Sequence, residues 1–404
     1  MKKQDQHALD TLAALAANPA APFHEWAVAR HLLGWLATMD GVDYRRDEFG
    51  NIIAHYISPS IAAMPESERE PPIAFVAHMD HPGYEIIRPA QASGDSGDDA
   101  NHSHDNNSSR LYIAEAQGGV PVASMTHTVP AFILMPDGER ISAVIQPLPA
   151  DSPERADGER LVAVRVDTDA ELPLRAPVIF DLPDFGIEGD TIRMRAADDL
   201  AGCAAILCAL ERIIADGGDS DFYAVFTRGE EGGLFGARLL AEAGTLPENT
   251  LVVSVETSSI IPGVTQGEGI VIRTGDRIYT FDPDAEQVFI VAADNLRARD
   301  SEFKAQRHLM SGGGCEASGF AVFDYAVTGL AFPLGNWHNA TTTIPDPDGG
   351  VDSEYISVTD YLSGVALIAE AGVSVAARRD TPTRRRLREI PDDVRQRMRE
   401  TAEV

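Results

Sequence analysis

Seven acidic or imidazole side chains stand beside predicted strands or helices, although the chain separates them widely. They are His78, Asp80, Asp198, Glu230, Glu231, Glu256 and His338. Most of them follow strands predicted over 73–77, 222–227, 251–255 and 329–333, whereas Asp198 precedes a helix. Because ligands bind outside the carboxyl ends of strands in open α/β sheets, we expect these groups to meet at one sheet edge.

The residue types in this set indicate a metal centre. Two imidazoles and several carboxylates without a thiolate suit Zn, Mn or Co. Two divalent ions a few ångströms apart need one shared carboxylate and terminal ligands on each ion, so five ligands suffice. Such a pair can hold a bridging hydroxide and polarise a carbonyl oxygen at the same time.

Each of these signals also has an ordinary structural interpretation. His78 alone would more often be a core histidine, but Asp80 two residues later is placed to orient a metal-bound imidazole. The Asp198-Asp199 pair could cap the following helix. Glu230-Glu231 could be a solvated charge pair, although it directly follows a strand and precedes two glycines. The combination and its order, rather than any one member, predict the metal site.

The surrounding pattern predicts an α/β sheet interrupted by a small all-β module. Two helices are expected within 5–40, and a further helix over 300–306. Between about 111 and 193, short β-rich runs alternate with Asp-Gly, Pro and Gly turns, which is typical of an all-β unit. Because α/β patterns stand on both sides of it, this unit is interpreted as an insertion.

The resulting division has four parts. They are a first catalytic segment (1–88), an inserted all-β domain (89–189) with a mobile loop at 91–110, a second catalytic segment (190–375) and a charged tail (376–404). The arginine-rich part of the tail is interpreted as an oligomer contact or a solvated face rather than a nucleic-acid site.

Composition narrows the class of partners. The 33 Lys and Arg residues against 63 Asp and Glu residues give a net charge of −30, which disfavours nucleic acid and anionic membranes. Three cysteines without a C-x-x-C pair favour a reducing compartment. No run approaches the ~20 apolar residues of a membrane span, and the N-terminus is interpreted as an amphipathic helix rather than an export signal. We therefore expect a cytoplasmic protein.

The order of these motifs resembles that of the co-catalytic dizinc exopeptidases. Four passages are similar to the glutamyl/deblocking aminopeptidase family within that clan: AHMDHPGYEI (77–86), IEGDTIRMRAADDLAGCAAIL (187–207), TRGEEGGLFGARLL (227–240) and SGGGCEASGF (311–320). The resemblance implies a mixed-sheet, three-layer α/β catalytic domain with an inserted, small β-barrel-like domain. It also implies a homo-oligomer, since members of the family often form tetrahedral assemblies.

The resemblance further implies a role for each site residue. Asp198 would bridge two divalent ions, with zinc as the first choice and cobalt or manganese as alternatives. His78 and Glu256 would complete one site, and Glu231 and His338 the other. Asp80 would orient His78, and Glu230 would be the general base.

Four departures from the family pattern leave substrate preference open. Asp-Asp-Leu at 198–200 replaces Asp-x-Arg, and Glu256 stands where Asp is commoner. Trp337-His338-Asn339 replaces a Tyr-x-His-Ser type ending, and Cys315-Glu316 replaces Thr-Asp.

The leading hypothesis is therefore a metallo-aminopeptidase, a hydrolase that removes N-terminal residues from short peptides. A metal-dependent carboxypeptidase or N-deacylase with the same centre is the alternative, separated by whether activity needs a free α-amine or a free α-carboxylate. A non-catalytic binding relative is disfavoured because every ligand position and Glu230 carry competent residues.

Overall fold

The computed structural model describes residues 3–90, 109–148, 152, 160–168 and 172–402. The mobile loop predicted at 91–110 lies outside the described residues, except that Ser109 and Arg110 lie in a strand. The predicted boundaries between the four parts of the chain stay a prediction.

The helices and strands follow one another along the whole described chain. The helices are α1 (Lys3–Ala16), α2 (Trp26–Leu36), α3 (Pro59–Ala62), α4 (Ala123–Thr126), α5 (Ala197–Asp216), α6 (Phe235–Glu242), α7 (Pro283–Arg299), α8 (Glu316–Ala321), α9 (Val358–Gly372), α10 (Pro382–Arg388) and α11 (Asp392–Glu400). The strands are β1 (Val42–Arg46), β2 (Ile52–Ile57), β3 (Ile73–His78), β4 (Gly83–Pro89), β5 (Ser109–Gln117), β6 (Val129–Leu134), β7 (Arg140–Gln146), β8 (Leu161–Asp167), β9 (Pro177–Phe180), β10 (Phe185–Glu188), β11 (Thr191–Met194), β12 (Asp221–Thr227), β13 (Leu251–Ser259), β14 (Ile270–Arg273), β15 (Ala305–His308), β16 (Ala326–Leu334) and β17 (Glu354–Ser357).

An eight-stranded mixed sheet forms the centre of the larger α/β unit, with the order β1-β2-β12-β3-β13-β16-β14-β15. The four inner strands β12, β3, β13 and β16 are mutually parallel, so their carboxyl ends share one edge. Side chains of β3 alternate between two cores: Phe75 packs with helices α1, α5, α7 and α9, whereas Val76 packs with α6 and α8. Helices cover both faces, and this confirms the expected three-layer α/β fold.

The inserted unit is a closed barrel of six antiparallel strands in the order β4-β5-β8-β7-β6-β9. Its interior is aliphatic and aromatic, with Val162, Val164 and Val166 of β8 projecting inward at alternate positions. The expected β-barrel-like insertion is therefore confirmed.

A third, small sheet has the order β10-β11-β17. Strand β11 ends three residues before α5 begins, and β17 pairs with it antiparallel along its length. The small sheet therefore lies directly beside the start of α5, where Asp198 is located.

Two sequence expectations outside the site have opposite outcomes. The two helices expected within 5–40 are present as α1 and α2. The helix expected over 300–306 is wrong, because the helix ends at Arg299 and residues 305–308 form a strand. Asp282 accepts hydrogen bonds from the amides of residues 284 and 285, and Pro283 follows at the first helical position, so the true start carries ordinary helix-start signals.

Within the described part of the chain, no single helix is long and apolar enough to cross a membrane. Helix α9 and the segment Val375–Arg388 reach such a length and hydropathy only together, and they are bent by 81° relative to each other.

Candidate metal centre

His78 ends strand β3 at the shared edge of the four parallel strands, and it is buried. The register between β12 and β3 pairs Thr227 with His78, and the Met79 amide donates to the Thr227 carbonyl oxygen. The loop that carries Glu230 and Glu231 therefore begins at the level of His78.

Asp198 lies between the two predicted imidazole ligands. Its Oδ1 is 3.2 Å from His78 Nε2, and its Oδ2 is 3.7 Å from His338 Nε2. Asp198 is buried and has non-helical backbone angles at the start of α5. Burial alone would raise the pKa of this carboxyl, but its contact with His78 lowers it below its ordinary value.

His338 is held from two sides. Its Nε2 lies 3.1 Å from Glu231 Oε1, and its Nδ1 is 2.9 Å from the carbonyl oxygen of Gly119, in the connection that follows β5. Burial lowers the pKa of His338, but Glu231 and Asp198 outweigh it and raise that pKa to about 9.

Glu230 and Glu256 approach His78 from two further directions. The Nε2 of His78 lies 3.8 Å from Glu230 Oε2 and 3.8 Å from Glu256 Oε2. Burial raises the pKa of both carboxyls, and other carboxylates nearby add to the shift. The pKa of His78 is lowered by burial but raised more strongly by Glu230 and Asp198, so it lies well above its ordinary value. The site therefore concentrates buried carboxyl groups around one imidazole.

Asp80 contacts the site differently from the arrangement implied by the family resemblance. Its carbonyl oxygen is 3.0 Å from His78 Nδ1, whereas the nearer carboxylate oxygen is 3.7 Å from that nitrogen. The carboxylate instead accepts the backbone N–H groups of Glu230 and Glu231 at 3.0 and 3.1 Å. Burial raises the pKa of Asp80 to about 7. Asp80 thus contacts His78 through its main chain and the two glutamates through its side chain.

The donor set fits divalent cations. Ligand atoms of His78, Asp198 and Glu231 lie within 4.8 Å of one another, as do those of His78, Asp199 and Glu256. Asp199 Oδ2 has no hydrogen-bond partner among the described residues, whereas Asp198 Oδ1 and Glu231 Oε1 face imidazole nitrogens at 3.2 and 3.1 Å without meeting hydrogen-bond geometry. Unpartnered carboxylate oxygens in a buried cluster are costly unless a cation or a proton satisfies them. Imidazole and carboxylate donors without a thiolate are the ligands that zinc, manganese and cobalt accept.

The structure thus brings all seven sequence-predicted residues to one edge of the sheet. It also adds buried carboxylates that sequence reasoning did not select. Asp199 Oδ1 accepts the Gly202 amide, as expected of a helix cap, while its Oδ2 is one of the unpartnered oxygens. In the sequence, the Asp198-Asp199 pair was the feature that could have indicated Asp199.

Glu316 and Glu354 are the other two additions. Glu316 accepts from Thr227 Oγ1 at 3.1 Å and from Ser254 Oγ at 2.9 Å, and Ser254 Oγ also lies 3.1 Å from Glu256 Oε1. The glycine loop before Glu316 was its only sequence signal. Glu354 begins β17 and had no signal, because it stands in an unremarkable strand 16 residues after His338.

A cavity of about 410 Å³ is lined by the cluster and by apolar and glycine residues. The non-ionic lining includes Leu234, Ile278, Met310, Trp337 and the backbone of residues 312–314. A volume of this order accommodates a small ligand beside the carboxylates.

The combination of a three-layer mixed sheet, an inserted barrel and a buried histidine–carboxylate cluster defines a metallopeptidase-type architecture. Residues 173–347 match the family model of the M42 glutamyl aminopeptidases. The match confirms the resemblance that the sequence motifs indicated, and with it the prediction of a hydrolase of the aminopeptidase class.

Solved structures with the same fold include several archaeal peptidases. The TET1 peptidase of Pyrococcus horikoshii, which assembles into a tetrahedron or a large octahedral shell, is 20% identical with a TM-score of 0.68, over 90% of this chain and 99% of that chain. An aminopeptidase from Desulfurococcus kamchatkensis is 18% identical with a TM-score of 0.68, over 94% of this chain and 99% of that chain. The TET aminopeptidase of a marine-sediment thaumarchaeon is 16% identical with a TM-score of 0.67, over 92% and 99%. No curated protein sequence matches the chain.

Proposed function

We propose that the protein is a dinuclear metal-dependent aminopeptidase that removes N-terminal residues from short peptides, with Glu230 as the general base. The observation that carries this proposal is the position of Asp198, whose two carboxylate oxygens face the imidazoles of His78 and His338 separately. One buried carboxylate between two imidazoles is the arrangement required of a ligand shared by two cations.

The remaining ligands divide by distance. Glu231 makes its closest imidazole contact with His338, and Glu256 contacts only His78 among the two imidazoles. We assign His78 and Glu256 to one ion and Glu231 and His338 to the other, with zinc as the ion. Bound divalent ions supply Lewis acidity, which lowers the pKa of water and polarises a peptide carbonyl.

Glu230 is suited to proton transfer. It stands next to the ligand Glu231 and faces the cavity, and it belongs to neither of the two groups of described residues whose ligand atoms lie within 4.8 Å of one another. Asp80 fixes the Glu230 amide, so the side chain projects from an anchored backbone. Glu230 takes the proton from the attacking water and returns it to the leaving amine.

The Glu230→Gln variant tests the assignment of the base. We expect metal content equal to that of the wild type and turnover lower by ~10²–10⁴-fold, the usual cost of losing a general base. Glu248→Gln, at an exposed position, is the matched control and should have wild-type activity. Wild-type turnover in Glu230→Gln would refute the role of Glu230.

Matched substrates test the aminopeptidase activity itself. We expect hydrolysis of short peptides with a free α-amine and none of the same peptides after N-acetylation. Cleavage that depends on a free α-carboxylate, or release of the acetyl group, would instead identify a carboxypeptidase or an N-deacylase.

We also propose a homo-oligomer in the cytoplasm. The Pyrococcus relative assembles into closed shells, which supports self-assembly here. All three cysteines are free and buried, which favours a reducing compartment. Light scattering of the purified protein tests the oligomer, and a monomeric mass would contradict it.

A further inference from the structure

Glu354 accepts backbone hydrogen bonds from both chain segments that carry the shared carboxylate and the last imidazole. Its Oε2 accepts the amides of Ala197 at 2.7 Å and Asp198 at 3.0 Å. Its Oε1 accepts the amide of His338 at 2.8 Å. The side chain is fully buried. One carboxylate therefore joins two segments that the sequence separates by about 140 residues.

Neither segment is held in place there by regular secondary structure. Asp198 has non-helical backbone angles, and His338 has a positive φ of 57° within a short turn. Their amides consequently lack the partners that a helix or sheet would provide, and a buried amide without a partner is costly. Glu354 supplies the acceptor for both.

Only a carboxylate can accept hydrogen bonds from the amides of both segments with two separate oxygens. An ionised Glu has two acceptor oxygens, whereas Gln has one acceptor oxygen and an NH₂ group that cannot accept from an amide. Replacement by Gln would direct an NH₂ group at an N–H on one of the two segments.

The strand that carries Glu354 is itself anchored to both segments. Glu354 pairs with Met194 of β11, which leads into α5 and Asp198. The next residue, Tyr355, forms two backbone hydrogen bonds with Gly335, at 2.9 and 3.1 Å, three residues before His338. The carboxylate is therefore placed by the same strand that orders both segments.

We infer that Glu354 is a positioning residue that sets the separation of Asp198 and His338 and thereby the affinity of the metal position between them. This inference rests on the proposed dinuclear site. It concerns the chain's own geometry, since the hydrogen bonds of Glu354 with the described residues of the site go to the backbone amides of Ala197, Asp198 and His338. Loss of an outer partner of a metal ligand typically costs 10–100-fold in metal affinity.

The test is Zn²⁺ binding by the full-length protein after chelator treatment, measured against a competing chelator. For Glu354→Gln we expect the weaker of the two Zn²⁺ affinities to fall by ~10–100-fold. We also expect the rise in melting temperature on Zn²⁺ addition to be smaller than in the wild type. Both readouts are independent of turnover.

Asp360→Asn is the matched control, because Asp360 is a buried carboxylate that also accepts two backbone amides, from Gly267 and Gly269. We expect it to lower the melting temperature of the metal-free protein and to leave both Zn²⁺ affinities unchanged. A purely structural role of Glu354 predicts the same behaviour for Glu354→Gln, and that result would overturn the inference.

Glu354→Asp decides the question if Glu354→Gln does not fold. Asp keeps the charge and both acceptor oxygens but is one methylene shorter, so it cannot reach both segments at once. We expect weakened Zn²⁺ binding at one position, and wild-type affinity would overturn the inference. A wild-type protein that binds no Zn²⁺ would instead overturn the proposed function.

Discussion

The carboxyl edge of the main sheet and the interior of the barrel are both buried, but they are buried with opposite chemistry. The barrel interior consists of apolar side chains such as Val164 and Ile145, and its strands are paired around the full circumference. The sheet edge buries His78, Asp198 and several glutamates, and among the described residues one oxygen each of Asp198, Asp199 and Glu231 forms no hydrogen bond. Between these two regions, the sheet edge is therefore the one whose described acidic side chains are not all satisfied by the protein itself.

The difference follows from how the backbone is satisfied in each region. In the closed barrel, strand pairing provides partners for the backbone. At the sheet edge the chain leaves regular structure, and buried carboxylates accept the amides: Asp80 for residues 230 and 231, Glu25 for Gly229, and Glu354 for Asp198 and His338. Some acids at this edge thus order the loops, and others are left facing one another. The comparison teaches that the second group is the part of the fold that could hold cations.

Asp198→Ala should have the largest effect. If Asp198 is shared between two ions, its loss weakens both positions together, well beyond the ~10–100-fold cost of losing an outer partner. We expect elemental analysis of the purified variant to find no bound metal and turnover to be at background. Two ions still bound per chain would contradict the shared carboxylate, and one ion would restrict Asp198 to a single position.

Gly119→Ala should have an intermediate effect on metal binding, because Gly119 connects the barrel to the sheet edge through its contact with His338. The connection after barrel strand β5 provides the carbonyl oxygen that accepts from His338, and a Cβ at residue 119 would lie 2.2 Å from His338 Nδ1. The imidazole must then move, and we expect metal affinity at that position to fall by ~10–100-fold. The measurement is Zn²⁺ competition titration.

Gly186→Ala is the control for this change, because a Cβ at residue 186 meets nothing within 4 Å and the backbone has no positive φ. It should bind metal as the wild type does. Equal affinities in the two variants would show that the barrel connection does not place His338.

The sequence predicted the sheet edge well because its signals are chemical and local to strand ends. His78, Asp80 and the Glu230-Glu231 pair follow buried strands, and the topology rule for parallel strands brings such positions together. The alternation of β-rich runs and turns likewise predicted the barrel. These features depend on patterns that can be recognised within short stretches of the sequence.

The residues that sequence reasoning missed depend on tertiary contacts. Glu354 acts on amides that are distant in sequence, so nothing in its neighbourhood distinguishes it from a strand residue. The helix expected over 300–306 failed for a different reason. The start signals at Asp282 and Pro283 place this helix earlier in the chain, and it ends at Arg299, before the polar run from residue 300 onward.

Ile145→Val in the barrel should have the smallest effect on function and so completes the comparison. Ile145 is fully buried in the barrel interior. Replacing a buried Ile with Val removes one methyl group and typically lowers the free energy of unfolding by about 0.5–1.5 kcal/mol. We expect a lower denaturation midpoint, with Zn²⁺ affinity and turnover per folded molecule unchanged. Reduced Zn²⁺ affinity would mean that barrel packing, and not only the Gly119 carbonyl, places His338. The barrel interior would then contribute to metal binding as well as to folding stability.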